Sequence, residues 1–541
     1  MQHPIEARAL PDKIKSATRW IAERLLYPFK YDLLYTVLMW GLLSTLSYYH
    51  YRLYFRYIIY LALFYFGLTY LLVCLLNIHR YIGKILKPIF FVCALLFFLL
   101  NLYCLSKYGC LISYNIIEII RGTNLNEIQE YMEAVVSLKD VMLFLVLSVI
   151  GLAAYVLILK IKFRSPRWLQ CSLLIVLGIS ALAMWHNPSV IKDELINSRW
   201  LFNRDEVVDL RNHLTHPHIT IADQTLQSNR IVIIIGESFS PSHSSLYGYG
   251  KSTNPLLEKR QHHGDLFIFN QVTSPATHTT EVFKYLLNTY LIGAENQHPW
   301  YDSISLIEVL TTANYHTCWI SNQPEIGLFE NLPSGHAKIC DESHFTSDSG
   351  KEQPYDEVLI DCEIPQSNER IAVFYHLMGQ HPAFNKRYPK AFDSFKASDY
   401  HEIEGGGSQL ETLAHYDNAT LYNDYVVNKL IDKYKDTDAI IFYFADHGLD
   451  LYETDPTYAA HAKQTPESQA ICKKIPFMVY LSPQYQQLRP DKVQQIRQAA
   501  DRAFCTDKLI YAVMDVVGLT FSDNDDVARN SLFSIADAIK P

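Results

Sequence analysis

The chain has 541 residues, more than one compact core can hold, so at least two domains are expected. Lys and Arg number 47 against 56 Asp and Glu, a net charge of −9, and no basic stripe with interleaved aromatics occurs. That balance excludes nucleic acid as an expected partner. Taken from the N-terminus, Met1–Phe29 lacks the compact apolar stretch and small-residue cleavage site of a signal peptide, and Ile14–Phe29 reads as an amphipathic helix on the inner membrane face. Five apolar segments follow: Leu33–Tyr49, Tyr57–Leu76, Pro88–Leu105, Val141–Leu159 and Leu169–Trp185. Each is long enough, or nearly so, to span a bilayer.

Lys and Arg in the short loops orient these segments. Arg8 to Lys30 precede the first, Arg80, Lys84 and Lys87 lie between the second and third, and Lys160, Lys162, Arg164 and Arg167 between the fourth and fifth; Ser106–Asp140 is acidic on balance. The pattern places the N-terminus in the cytoplasm and everything after Trp185 outside. The expected organisation is a membrane domain over residues 1–190 with five transmembrane helices, a polar tether over 191–227 and an external domain over 228–541. Of ten cysteines, Cys74, Cys93, Cys104 and Cys171 read as packing residues in or beside spans. Cys318, Cys340, Cys362, Cys472 and Cys505 lie in the external part, where disulfides form.

From Ser228 onward, apolar strands alternate with helical stretches. Strands are expected at Ile231–Gly236, Phe267–Ser274, His316–Ser321, Ile371–Tyr375, Ile440–Ala445 and Ile475–Leu481, and helices at Thr280–Leu291, His415–Tyr434 and Val493–Phe504. This alternation implies a mostly parallel sheet flanked by helices. Phe392–Gln409, with three consecutive glycines, reads as a mobile loop.

Four of these strands end on polar groups able to bind a metal or a phosphorus centre: Glu237-Ser238, then Thr277-His278-Thr279-Thr280, then His376 with His381, and finally Asp446-His447-Gly448. Ligands in open α/β sheets bind beyond the carboxyl ends of strands, so the four ends are expected to converge. Carboxylate, imidazole and hydroxyl together suit Zn²⁺. Asp446-His447-Gly448 is the sharpest signal; Glu237 alone would read as an exposed residue at a sheet edge and gains weight as a ligand beside it. Asp446 alone would read equally well as a helix cap. Thr277, Thr279 and Thr280 crowd one turn before an expected helix, and any of them could be a nucleophile or an N-cap. His381 and His461 are candidates for a substrate phosphate or a second metal. His376, His278 and His415 are weaker ones.

At this point the sequence resembles the lipid-linked phosphoethanolamine transferases of the alkaline phosphatase superfamily. The resemblance rests on Gly236-Glu237-Ser238, Ser245-Leu246-Tyr247-Gly248-Tyr249, Thr253-Asn254-Pro255, Ser274-Pro275-Ala276-Thr277-His278-Thr279 and Tyr355-Asp356-Glu357. It continues through His376-Leu377-Met378-Gly379-Gln380-His381, Tyr416-Asp417-Asn418, Ala445-Asp446-His447-Gly448 and His461 with Pro466-Glu467-Ser468-Gln469. It implies an alkaline phosphatase-like periplasmic domain behind five transmembrane helices in a Gram-negative inner membrane. It implies one tightly bound Zn²⁺ on Glu237, Thr279, Asp446 and His447, with Thr279 as the nucleophile that carries a phosphoethanolamine intermediate. His381 and His461 would line the adjacent phosphate or a second, weaker zinc position. The implied donor is phosphatidylethanolamine and the implied acceptor a phosphate or sugar hydroxyl of lipopolysaccharide, with the protein acting as a monomer.

The chain departs from the family at several points. Pro275 and Lys284 stand where many members have a bracketing cysteine pair, His381 is followed by Pro382 without an intervening glycine, and the His461 segment reads His-Ala-Lys-Gln-Thr-Pro. The competing expectations are a phosphoglycerol transferase, a hydrolase or sulfatase of the same superfamily, and a membrane sensor or assembly factor with an inactive site.

Overall fold

The structure is a computed structural model that describes residues 20–50, 55–112, 116–117, 119–120, 123–186, 209–296, 298–325, 332–348, 350–364, 370–400, 407–456, 458–461 and 463–534. The chain divides into two compact units, Met1–Tyr114 with Val136–Arg204, and Asn115–Val135 with Asp205–Pro541. The first is helical: α1 (Leu33–His50), α2 (Phe55–Leu76), α3 (Arg80–Tyr108), then, after α4 (Leu125–Ala134) of the second unit, α5 (Leu138–Lys160) and α6 (Arg167–His186). Five helices thus cover the five apolar segments. Among the described residues, four are long and apolar enough to cross a membrane, α2, α3, α5 and α6; the apolar stretch described in α1 is shorter, Leu33–Ser44. The helix over the third segment starts at Arg80 and carries Pro88 inside it. The expected amphipathic helix lies partly outside the described residues, and helix is present from Trp20 to Lys30. One polar cluster inside this unit is paired: Asp32 accepts from Lys87 Nζ at 2.5 Å and from Asn77 Nδ2 at 2.7 Å.

The second unit is built on a seven-stranded sheet of β1 (Arg230–Gly236), β2 (Leu266–Phe269), β3 (Tyr315–Ser321), β4 (Glu342–Phe345), β5 (Arg370–His376), β6 (Ala439–Ala445) and β7 (Phe477–Leu481). Their order across the sheet is β2-β7-β6-β1-β5-β3-β4. The pairs from β6 to β4 are parallel, as buried apolar runs predict. The sheet is nevertheless mixed, because β7 runs antiparallel to both β6 and β2. Apolarity on both faces marks a strand as buried but does not encode its direction, which here follows from the connections around it. Residues Ile219–Ile221 pair with Leu519–Phe521, so the polar segment expected as a tether joins the sheet-bearing unit at that point; residues 187–208 lie outside the described residues.

The long helix α8 (Gly407–Asp432) packs a largely buried face on the sheet and begins eight residues before the helix expected at His415–Tyr434, whereas the helix expected at Val493–Phe504 is Pro490–Gln498. In front of the sheet, α7 (Thr279–Val282) is a single turn where a helix to Leu291 was expected. Tertiary hydrogen bonds end it: Leu306 N–H donates to Leu287 O, Thr289 N–H to Ile304 O, and Asn288 bridges to Ser305. All ten cysteines are free thiols, so none of the disulfides allowed by the external location is formed.

Helix α4 joins the sheet-bearing unit through charge. Its Glu130 forms a buried ion pair with Arg387, whose guanidinium also donates to the carbonyls of His381 and Pro382. Lys386 Nζ lies 2.9 Å from Glu133. Removing one partner of a buried pair strands the other charge and costs about 3–5 kcal/mol. Glu130→Ala is therefore expected to loosen α4, read as faster proteolysis and hydrogen exchange across Leu125–Ala134, with Glu133→Ala, an exposed partner, nearly silent. Equal protection in Glu130→Ala and wild type would refute the anchoring role.

Candidate active site

The register of the central strands decides which side chains meet. Gly236 of β1 pairs with Ala445 of β6, and Ile235 with His376 of β5, so the next residues, Glu237 and Asp446, leave neighbouring strands at the same level. Asp446 N–H donates to Gly236 O at 2.9 Å. Ser238 then adopts a left-handed φ of 57°, unusual for a residue with a Cβ. In that conformation its N–H donates to Asp446 Oδ1 at 3.2 Å and its hydroxyl to Glu237 Oε1 at 2.7 Å. Gly379, at φ 49°, lies against Glu237, where a Cβ would come within 2.9 Å of the Glu237 backbone. Gly448 has an ordinary φ, and its role is close approach, since a Cβ there would meet Lys474 O at 2.7 Å.

Thr279, the first residue of α7, donates its hydroxyl toward both carboxylates, 3.0 Å to Glu237 Oε2 and 2.8 Å to Asp446 Oδ2. His447 Nδ1 lies 2.9 Å from the Gly448 carbonyl, which fixes the proton there and turns Nε2 inward, 3.3 Å from Glu237 Oε1 and 3.6 Å from Asp446 Oδ2. Nε2 is buried without a hydrogen-bond partner. Ligand atoms of Glu237, Asp446 and His447 lie within 4.8 Å of one another, and all three residues are buried. Two carboxylates, an orphaned imidazole nitrogen and a hydroxyl aimed at one point match the donor chemistry of a tetrahedral Zn²⁺ site.

The electrostatics agree. Burial works to raise the Glu237 carboxyl, yet the charge of His447, with the hydrogen bond from Ser238, holds it well below the usual range. Burial, with the charge of Glu237, pushes Asp446 up to about 7. Burial would lower His447, but Asp446 and Glu237 raise it to about 9. Without metal the site therefore keeps protons at neutral pH that a cation must displace. Zinc affinity is expected to rise with pH between about 7 and 9 and to level off above, with roughly one to two protons released per ion at pH 7. Calorimetry in two buffers of different ionisation enthalpy measures this; a binding enthalpy independent of buffer would refute it.

The histidines separate into two groups. His461 lies beside His447 with the rings tilted by 38° and their centroids 4.4 Å apart, and its Nδ1 has no hydrogen-bond partner. Burial, with the charge of His447, drives His461 well below its ordinary value, and burial takes His381 down to about 4. Both are neutral at pH 7, which suits ligands or hydrogen-bond donors rather than phosphate-pairing cations. His376 ends β5 but is packed between Phe283 and Trp319, with burial lowering it to about 4. His278 is buried at the N-cap of α7, 3.5 Å from Glu281; Thr277 is buried beside it, and Thr280 is half-buried. His415 pairs with Tyr388 at 2.7 Å, away from these residues in the hydrogen-bond network.

Several motif residues are scaffold. Asp417 holds His243 Nδ1 at 2.6 Å and the Tyr249 hydroxyl at 2.7 Å, and Tyr416 bridges Ser238 O and Ser240 N–H. Asp356 accepts from the N–H groups of Met378 and Gly379, both at 2.8 Å, and so shapes the loop to His381. Sequence reasoning missed Gln323, which reaches Glu237 Oε2 at 3.4 Å, and Glu127 of α4, 3.9 Å from His381 Nε2. Burial pushes Glu127 up to about 8, with the charge of Glu237 adding to it. The only local trace of Glu127 is the capping box it closes with Asn124.

Residues 229–519 match the Sulfatase family. Phosphoethanolamine transferase EptC of Escherichia coli O18:K1:H7 is 26% identical over 456 residues, spanning 77% of this chain and 77% of that protein. Among solved structures, the C-terminal periplasmic domain of EcEptC from Escherichia coli in complex with Zn aligns at a TM-score of 0.52 and 25% identity, covering 59% of this chain and 90% of that one. The integral membrane lipooligosaccharide phosphoethanolamine transferase A from Neisseria meningitidis aligns at 0.60 over 93% of this chain and 94% of that one; at 17% identity the likeness is one of fold.

Proposed function

The chain belongs to the sulfatase family of the alkaline phosphatase superfamily, and from that premise we propose that it is a zinc-dependent phosphoethanolamine transferase working at the outer face of a Gram-negative inner membrane. The observation that carries this reading is the Thr279 hydroxyl held between the carboxylates of Glu237 and Asp446 with His447 Nε2 facing them. Glu237, Thr279, Asp446 and His447 would hold the ion, which when bound supplies Lewis-acid charge that lowers the hydroxyl pKa and offsets the phosphodiester's negative charge.

Thr279 Oγ1 gives up its proton and attacks phosphorus. The new Thr279–phosphorus bond forms as the bond to the diacylglycerol oxygen breaks, and diacylglycerol leaves with a proton. In the second step an acceptor oxygen attacks the same phosphorus as the bond to Thr279 Oγ1 breaks, and the threonine regains a proton, the acceptor hydroxyl's own or, for a phosphate acceptor, one from solvent. Dividing one displacement between two gives each a positioned nucleophile. His381 and His461, neutral and with unpartnered Nδ1 atoms, are suited to hold phosphoryl oxygens or a second, weaker ion. Phosphatidylethanolamine is the proposed donor and lipopolysaccharide the proposed acceptor, in keeping with the apolar helices of the first unit and with the sequence resemblance; the protein is proposed to act as a monomer.

The test is mass spectrometry of lipid A and core oligosaccharide from cells with and without the protein. A phosphoethanolamine increment only where the protein is present supports the reading; a phosphoglycerol increment, or none on any glycolipid, would replace it. Orientation has its own test. Reporter phosphatase fused after Trp185 should be active, and fused at Lys84 or Arg164 inactive; activity at both loop sites would reverse the topology.

A further inference from the structure

Among the described residues, two groups bring three metal-ligand atoms from His, Cys, Asp or Glu within 4.8 Å of one another. One is Glu237, Asp446 and His447. The other is Cys318, Glu342 and His344, at one end of the sheet order and away from the central strands that carry the first, on β3 and the edge strand β4. We propose that this second group is a structural zinc site, completed by His316 as fourth ligand.

The register makes the cluster. Cys318 pairs with Glu342 and Ile320 with His344 in parallel strands. Paired residues share a face, and so do residues two apart along a strand, so His316, Cys318, Glu342 and His344 project from one face. Two imidazoles converge on the two oxygens of one carboxylate. His316 Nε2 lies 3.0 Å from Glu342 Oε1 and His344 Nε2 3.8 Å from Glu342 Oε2. The other nitrogen of His316 faces Asp341 Oδ2 at 3.7 Å, where a carboxylate would orient a ligating ring. Cys318 closes the buried side, while the His344 side chain is 54% exposed and leaves an entry path.

One thiolate, one imidazole and one carboxylate already stand together, and His316, in contact with the same carboxylate, would supply the fourth donor, all of them groups that Zn²⁺ accepts. The location gives it a purpose. The strand β4 has four residues and, among the described residues, stands last in the sheet beside β3, so it is the short edge strand. An ion bridging the two strands would tie that edge down, since binding to a site formed only on folding adds to folding stability.

The catalytic ligand set contains no sulfur, which makes the test specific. The full-length protein in detergent, stripped of metal and titrated with Co²⁺, should develop a thiolate-to-cobalt charge-transfer band in the near ultraviolet. Cys318→Ser should lack the band, while Cys340→Ser and Cys362→Ser keep it. His344→Ala, at an exposed position that leaves folding intact, should weaken cobalt binding read on that band at least tenfold and leave transfer by the zinc-loaded enzyme unchanged. No band with cobalt in excess over both sites, a band that survives in Cys318→Ser, or an unmoved affinity in His344→Ala would each overturn the site. The readout does not use catalysis, so it stands apart from the assignment of Thr279.

Discussion

Thr279→Ala is expected to lose transfer by at least about 10⁴-fold while the fold persists, because removal of a covalent nucleophile leaves only binding and electrostatic assistance. Three threonines share the turn, and sequence alone leaves any of them open to the role. The geometry separates them: Thr279 Oγ1 contacts Glu237 Oε2 and Asp446 Oδ2. The substitution removes one methyl and one hydroxyl from a half-buried position at the start of α7, a small change in packing. Thr277→Ala and Thr280→Ala should cost far less, at the scale of a lost cap or a peripheral contact, about 1 kcal/mol. Incubating wild-type protein with phosphatidylethanolamine and mapping peptides should reveal a phosphoethanolamine increment on the Thr279 peptide, absent from Thr279→Ala. The increment on Thr277 or Thr280, or turnover by Thr279→Ala within tenfold of wild type, would sink the assignment.

The second large effect concerns the metal. Glu237→Ala and Asp446→Ala should each lose zinc and activity together. Zinc affinity should fall by more than about 100-fold, the upper end of what changes beyond the direct ligands cause. Each carboxylate also holds other groups in place: Glu237 accepts from Ser238, and Asp446 accepts from Ser238 N–H, His447 N–H and Thr279. Loss of either therefore disturbs the nucleophile as well as the ion. His381→Ala and His461→Ala should keep the tightly held zinc and lose turnover, since neither approaches Thr279 Oγ1 as the two carboxylates do. Elemental analysis decides: full zinc in Glu237→Ala and Asp446→Ala would dismiss the ligand set, and zinc lost from His381→Ala would move that residue into it.

Much of the site was legible because its signals are local. An apolar run such as Ile231–Ile235 that stops on Glu237, or Ile440–Ala445 that stops on Asp446-His447, states both a buried strand and a candidate ligand at its carboxyl end. The apolar helices of the first unit were legible for the same reason, since crossing a bilayer demands length and apolarity within one segment. What remained hidden depends on partners far away in the chain. The reversed direction of β7, the single turn of α7 and the free cysteines follow from packing that no short window contains. The opposition of Glu237 and Asp446, 209 positions apart, is set by the β1–β6 register. Arg387 and Glu130 look like ordinary surface charges until folding buries them against each other across 257 positions. His316, Cys318, Glu342 and His344 likewise share a face only because β3 and β4 pair in parallel. Hydrophobic patterning acts over a few residues and so can be read from sequence, whereas register and charge pairing are long-range choices made by the whole fold, and they decide which of the candidate side chains stand together.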